Sequence, residues 1–336
     1  MKRVILTGYL LLSLSLGASA ADLKSEVVAT GLNNPVGVAV QPETGTLFVS
    51  DSGAGRIVTV ANGGLAPVIS GFPRDVYGKG PMFDIGPLGL AFVNKNLLAI
   101  GDGGSLDGEE YLRVFELATD DKGALKPITV YDSKYKLGPI PAGKETGRGE
   151  GNFYGVAAGT NGIYITANGD DTKGWVLKAA LKDGVPGAFK PFIATKEKVA
   201  VDAPVAITIG PKGQIVVGQM GEVVGEPDSL VCFYNAKGDL ESKAELEDVF
   251  DVVGLAYSKS GKLYGLDFRW PGKEKGSLFS IEVTADGASV KKLMDLDKPT
   301  GMAFGADGAL YITTIGTPAA GDSAPAGKLL KVTGDF

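Results

Sequence analysis

The chain has 336 residues, with 33 Lys and Arg against 39 Asp and Glu for a net charge of −6, one cysteine and no histidine. An acidic balance argues against a nucleic-acid partner, whose phosphates demand a basic face. The missing histidine removes Ser-His-Asp and Cys-His triads, His-ligated zinc and a His general base, and the single Cys232 removes any internal disulfide.

Residues 1–20 read as a cleavable secretory signal: Lys2 and Arg3, the apolar run VILTGYLLLSLSLG, then Ala18-Ser19-Ala20, with cleavage after Ala20. The expected location is therefore secreted or periplasmic. The apolar run is too short to span a bilayer as a helix, and no later segment of the sequence is a candidate span. Residues 21–336 are expected to form one domain.

Residues 35–60, PVGVAVQPETGTLFVSDSGAGRIVTV, contain three short runs rich in Val, Ile, Phe and Thr, separated by Gly, Pro, Asp and Ser. That is the pattern of strands joined by tight turns. The entry Pro35-Val36-Gly37-Val38-Ala39 returns as Pro87-Leu88-Gly89-Leu90-Ala91, Tyr154-Gly155-Val156-Ala157, Pro204-Val205-Ala206-Ile207, Val253-Gly254-Leu255-Ala256 and Pro299-Thr300-Gly301-Met302-Ala303. A second strand follows each entry (TLFVSD, NLLAIGD, GIYITAN, QIVVGQ, KLYGLD, ALYITT), then a third (RIVTV, LRVFEL, WVLKAAL, LVCFYN, LFSIEV, LLKVTG). A fourth run closes most units, as in APVISG, PITVYD and KPFIAT. Cys232, inside LVCFY, is expected to be a small buried apolar side chain.

Six such units predict an all-β, six-bladed β-propeller. The last unit lacks a fourth strand, while the run at 25–30, SEVVAT, precedes the first unit and has that strand's character. Pairing the two would remove two open sheet edges together and close the ring through the N-terminal strand.

The combination Pro35-x-Gly37-Val38-Ala39, Gly45-x-Leu47-Phe48-Val49-x-Asp51 and Gly55-Arg56-Ile57 resembles the repeat of NHL-type propellers. Related sequences include bacterial secreted propellers, gluconolactonase relatives and propellers associated with scytonemin gene clusters, so the resemblance implies a scaffold rather than one activity. Against the gluconolactonase pattern, Asn33-Asn34-Pro35 stands where an acidic residue is expected before the first entry. Propeller lyases and quinone-dependent sugar dehydrogenases that rely on histidine are disfavoured by its absence.

The turns between strands one and two, and three and four, are short: QPETG, VNKN, GTNG, GPKG, SKSG, GADG and their counterparts. The other connections are long: 71–86, 101–111, 133–152, 168–174, 219–228, 267–276 and 314–327. All of them fall on one face, where a rigid scaffold carries its binding residues. Residues ending the second strands are expected at the channel mouth on that face. Of these, Asp51, Asp102, Asn168 and Asp267 make an oxygen-rich set suited to Ca²⁺. Asp and Asn at strand ends are equally ordinary turn residues. Arg74, Tyr77, Asn152, Tyr154, Arg269 and Trp270 form an expected ligand-binding rim with aromatic faces.

Two functions follow as expectations. The first is a non-catalytic propeller, a monomer, binding a small-molecule or protein ligand at the channel mouth. The alternative is a Ca²⁺-dependent, gluconolactonase-like hydrolase working through mouth carboxylates. No haem, zinc, nucleotide or nucleic acid is expected.

Overall fold

Inner strands rich in Val, Leu and Gly line a central channel, and six sheets radiate from them as the blades of a propeller, each of four antiparallel strands, with a short fifth strand added in parallel to the first. The computed structural model describes residues 23–336 except 79, 170, 171, 224, 225, 271–273, 285 and 286. The expected signal at 1–20 lies outside the described residues. Among those described, no helix is long and apolar enough to cross a membrane.

Blade I is built from Val38–Val40, Leu47–Asp51, Arg56–Ala61 and Gly64–Ser70, blade III from Val156–Gly159, Gly162–Ala167, Trp175–Lys182 and Val185–Ala194. Blades IV and V repeat the order from Pro204–Ile209 to Leu240–Glu245 and from Val252–Tyr257 to Gly287–Leu296. In blades I, IV, V and VI the first hairpin turn carries a left-handed glycine in open space: Gly45, Gly213, Gly261 and Gly308, at φ between 72° and 83°. Second strands are buried along their whole length in five blades, because each blade packs on neighbours through both faces. Cys232 is one of these core residues, fully buried in the third strand of blade IV, and burial pushes its thiol up to about 12.

Ring closure follows the expectation. Strand Lys24–Leu32 pairs antiparallel with Gly327–Thr333, from Lys24 opposite Thr333 to Leu32 opposite Gly327, making the outer strand of blade VI beside Leu310–Thr314 and Pro299–Phe304. Ala29 and Leu32 are buried together with Leu329 of blade VI and with Val38, Leu47, Val49, Val58 and Val60 of blade I. The strand therefore joins first and last blades through side chains as well as backbone.

Blade II departs from expectation. PITVYD is not its fourth strand: Ile128–Thr129 pairs in parallel with Ile69 and Ser70 of blade I, and the outer strand of blade II is Tyr135–Leu137 against Leu112–Glu116. The reason lies in Asp132, whose Oδ2 accepts hydrogen bonds from both the backbone N–H and the hydroxyl of Thr129. That capping box turns the chain at Val130–Asp132 and drops Val130 into the core between blades I and II.

The glycine of the entry motif is a close-approach residue. A Cβ on Gly37 would lie 2.8 Å from the Leu88 carbonyl oxygen, on Gly89 2.1 Å from that of Tyr154, on Gly155 2.4 Å from that of Val205 and on Gly301 2.3 Å from that of Val36. Each of those oxygens belongs to the next blade's inner segment. Hydroxyls on the second strands stitch the same seam: Ser50 donates to Leu88 O at 2.5 Å, Thr166 to Val205 O at 2.8 Å and Thr313 to Val36 O at 2.7 Å. The channel wall is consequently rigid and narrow.

Candidate ligand site at the channel mouth

The long connection between blades I and II folds into a small hairpin, Asp75–Tyr77 against Phe83–Ile85. It is pinned at its base by the Asn34 side-chain amide, which donates to Asp84 O at 3.2 Å, and by Gly86 N donating to the Ser52 hydroxyl at 2.8 Å. The hairpin reaches the loop that follows the second strand of blade V. Phe83 packs edge-on against Trp270, ring centroids 5.5 Å apart, and against Phe268 at 6.0 Å, while Tyr77 meets Trp270 at 6.4 Å.

Beneath this roof lies a cavity of about 100 Å³ to which all six blades contribute. Its walls include Ile85, Leu88, Val205, Met220, Val253 and Ile315 alongside the aromatic group, with Asn34, Asn152, Asn168 and Thr300 as polar members. Tyr154 forms the floor. Its hydroxyl crosses the channel and donates to Thr300 O of blade VI at 2.9 Å, separating this cavity from the space between the inner strands below. Burial of that phenol pushes its pKa far upward, so it stays a neutral hydrogen-bond donor.

Two of the lining residues have a side-chain polar atom that is buried without a hydrogen-bond partner, Asn168 Oδ1 and Trp270 Nε1, as does neighbouring Asp251 at Oδ1. A buried polar atom left unpaired costs about 1–3 kcal/mol, which makes such atoms the exception in native proteins. Asn34 and Asn152 hold left-handed backbone conformations, φ 44° and 48°, which asparagine tolerates better than most side chains.

The carboxylates play a different part from the lining. Asp51 accepts Asn33 N–H at 2.6 Å and pairs with Arg56 at 2.7 Å. Asp102, 2 % exposed, is held by Arg113 Nε at 2.9 and 3.0 Å; burial raises its carboxyl to about 6 against the pull of that guanidinium. Asp267 accepts Asp251 N–H at 3.0 Å and Arg269 N–H at 3.2 Å, and burial raises it as well. Asp251 accepts the backbone N–H of Trp270, and Glu110 accepts those of Asn152 and Ser105. Burial lifts Asp251 to about 7 and Glu110 to about 9. These acids satisfy loop N–H groups that no strand partner can reach, and so fix the loops that carry the lining.

Of the ten residues singled out from the sequence, Tyr77, Asn152, Tyr154, Trp270 and Asn168 come together around the cavity. Arg74 does not: its alkyl chain lies by Gly55 and its Nη1 donates to Gly53 O at 3.4 Å. Arg269 points away as well, pairing with Glu274 at 2.8 Å and stacking its guanidinium 4.3 Å over the Phe250 ring. Asp51, Asp102 and Asp267 have oxygens committed to arginines and backbone N–H groups. Among the described residues, no group of three or more Asp, Glu or Cys could hold a metal ion. That donor arrangement does not fit Ca²⁺, which takes six to eight converging oxygens. Sequence reasoning passed over Phe83, Phe268, Met220 and Ile315. The only signal was their place in long loops, next to residues already chosen.

No family model matches the chain, and no curated protein does. Solved structures do. The PQQ-bound aldose sugar dehydrogenase of Streptomyces coelicolor is 16% identical, with 93% of this chain and 98% of that one covered at a TM-score of 0.58. The apo-form soluble aldose sugar dehydrogenase of Escherichia coli is 15% identical, covering 93% and 99% at 0.59. A catalytically inactive, histidine-substituted virginiamycin B lyase of Staphylococcus aureus with quinupristin is 12% identical, covering 93% and 99% at 0.52.

The likeness is one of fold. It establishes the six-bladed propeller, and it lies with sugar dehydrogenases and a lyase rather than with NHL-repeat proteins specifically. No Lys or Arg is among the described residues lining the cavity, so these residues offer no counter-charge to a polycarboxylate such as PQQ.

Proposed function

We propose that this protein is an exported binding propeller that holds a small molecule in the cavity at the long-loop mouth of its channel. The observation that carries the reading is the convergence of residues from all six blades on one largely apolar pocket with a few amides. The leader read in residues 1–20 supports export.

Two features favour binding over turnover. Proton-transfer catalysis needs a group titrating near the working pH, yet the described lining offers amides, a hydroxyl and two phenols but no carboxylate, lysine or cysteine. The lyase of similar fold is made catalytically inactive by replacing a histidine, and this chain has none. The hydrolase alternative would need Ca²⁺ and a free mouth carboxylate, whereas Asp51, Asp102 and Asp267 are engaged with arginines and backbone N–H groups.

The test is capture from a small-molecule extract of the producing cells, using the purified full chain and an Ile315→Trp variant that fills the cavity from its rim. Mass spectrometry of the dialysed, then denatured, protein should show a compound enriched by the parent and absent from the variant. Equal enrichment by both, or conversion of the compound on incubation, overturns the reading.

A further inference from the structure

We propose that the outer cleft between blades III and IV binds an oxyanion, such as a phosphate or sulfate group, between the ammonium groups of Lys178 and Lys190. Neither lysine lines the mouth cavity, so this second site stands whatever the mouth holds.

Strand register builds the pair. Lys178, on the third strand of blade III, stands directly opposite Lys190 on the fourth and opposite Tyr164 on the second. Residues paired in this way put their side chains on one face, with Cβ atoms about 4.5–5.5 Å apart. That face is turned to blade IV, since Tyr164 packs there with Ile215, Val217 and Tyr234. Two ammonium groups are therefore carried side by side on a chain whose net charge is −6. Like charges directly opposite on neighbouring strands destabilise a sheet.

The rest of the cleft holds Lys178 in place. Its Nζ lies 4.5 Å from the Phe192 ring centroid and 5.2 Å from that of Tyr164. Its stem crosses Gly162, where a Cβ would come within 3.1 Å of Lys178 Cε. The blade IV hairpin at 235–239 closes on the same ring, because a Cβ on Gly238 would lie 3.2 Å from Phe192 Cζ. Lys237, exposed beside that glycine, adds a third positive charge to the rim. Ring faces attract a cation, but they carry no net charge and leave the repulsion between the lysines uncompensated.

A carboxylate would compensate it. Among the described residues neither Lys178 nor Lys190 forms an ion pair, whereas Lys173 and Lys196, at the ends of the same blade, both do. The acid of the facing hairpin, Asp239, accepts the Asn235 side-chain amide at 3.1 Å. Burial, and then the charge of Lys190, hold the Lys178 ammonium below the ordinary lysine range. An oxyanion has several oxygens, so each ammonium can donate to its own, and repulsion is replaced by two charge-assisted hydrogen bonds. Lys190 is exposed, and its flexible stem can swing to meet such a group.

The experiment reads lysine accessibility in the full chain by trace acetylation with acetic anhydride at about pH 8, each site quantified by mass spectrometry, with ionic strength held constant by sodium chloride. Inorganic phosphate should slow labelling of Lys178 and Lys190 saturably, by about threefold or more, relative to Lys262 and Lys328, exposed lysines of blades V and VI. Phenyl phosphate is the second probe: tighter protection than by inorganic phosphate assigns the bound group to an ester, and equal protection to the free ion, the site standing in both cases. In Lys190→Gln, checked for an unchanged melting curve, the protection of Lys178 should fall to near unity. Uniform slowing of all four lysines would be screening alone and overturns the proposal. So does a chloride effect as large as that of phosphate, an unchanged protection of Lys178 in Lys190→Gln, or no protection by either probe.

Discussion

Replacing Leu32 by Ala tests ring closure at its most concentrated point. Leu32 is fully buried at the end of the N-terminal strand, where it packs with Leu329 of blade VI and Val38, Val49 and Val58 of blade I. Its carbonyl faces Gly327, where even a Cβ would come within 2.3 Å, so the backbone there cannot slide to refill a void. Leu→Ala in a core costs about 2–5 kcal/mol, with the upper part of the range for sites that cannot collapse, so about 4 kcal/mol is expected here. Against a total stability of roughly 5–15 kcal/mol that is a large share. Val27, on the same strand but 54% exposed, is the control, and Val27→Ala should stay within about 0.5 kcal/mol of the parent. Urea unfolding followed by tryptophan fluorescence reads both, the midpoint falling in Leu32→Ala at unchanged slope. If Leu32→Ala melts within about 0.5 kcal/mol of the parent, or Val27→Ala costs as much, the strand is not the clasp described here.

Two further outcomes follow from the packing and the charges. Gly89→Ala should destabilise by about 1–3 kcal/mol or more, because its Cβ would sit 2.1 Å from the Tyr154 carbonyl oxygen of the next blade; Gly159→Ala, whose nearest neighbours lie at 3.4 Å, should be tolerated, and thermal melts compare the two. Asp251 and Glu110 hold their protons in the folded state to about pH 7 and about pH 9, above their unfolded values, so raising the pH favours the unfolded chain. The melting temperature should therefore fall as pH rises from about 5 to about 9, and Asp251→Asn should flatten the portion below about pH 7; a stability that climbs across this range would contradict the burial assigned to these acids.

The blade period, the closing strand and the one-sided long loops were all legible in the amino-acid order, because each is a local property. Alternating apolar residues, turn glycines and the recurrent Gly of the strand entries repeat at a spacing that can be counted without knowing what touches what. Even the marker glycines proved to mark the inter-blade seam, where a neighbouring carbonyl leaves no room for a Cβ. PITVYD looked like a fourth strand for the same local reasons, and only the capping of Thr129 by Asp132 and the burial of Val130 between two blades decided otherwise.

The site was legible in part. Tyr77, Asn152, Tyr154 and Trp270 are loop residues of conspicuous chemistry, and they meet; Phe83, Phe268, Met220 and Ile315 complete the cavity but look like ordinary apolar residues in sequence. What the tertiary structure alone decided is where each polar group spends its hydrogen bonds. Asp51, Asp102 and Asp267 stand at equivalent strand ends and read as a ring of ligands, yet loop N–H groups and the arginines of adjacent strands claim them. Tyr154 meets its partner Thr300 across 146 residues of chain, and Trp270 meets the 75–85 hairpin across nearly 200. A strand pattern encodes which residues are buried. Which of them face one another across a channel depends on how many blades close the ring, and that is settled only when the first strand pairs with the last.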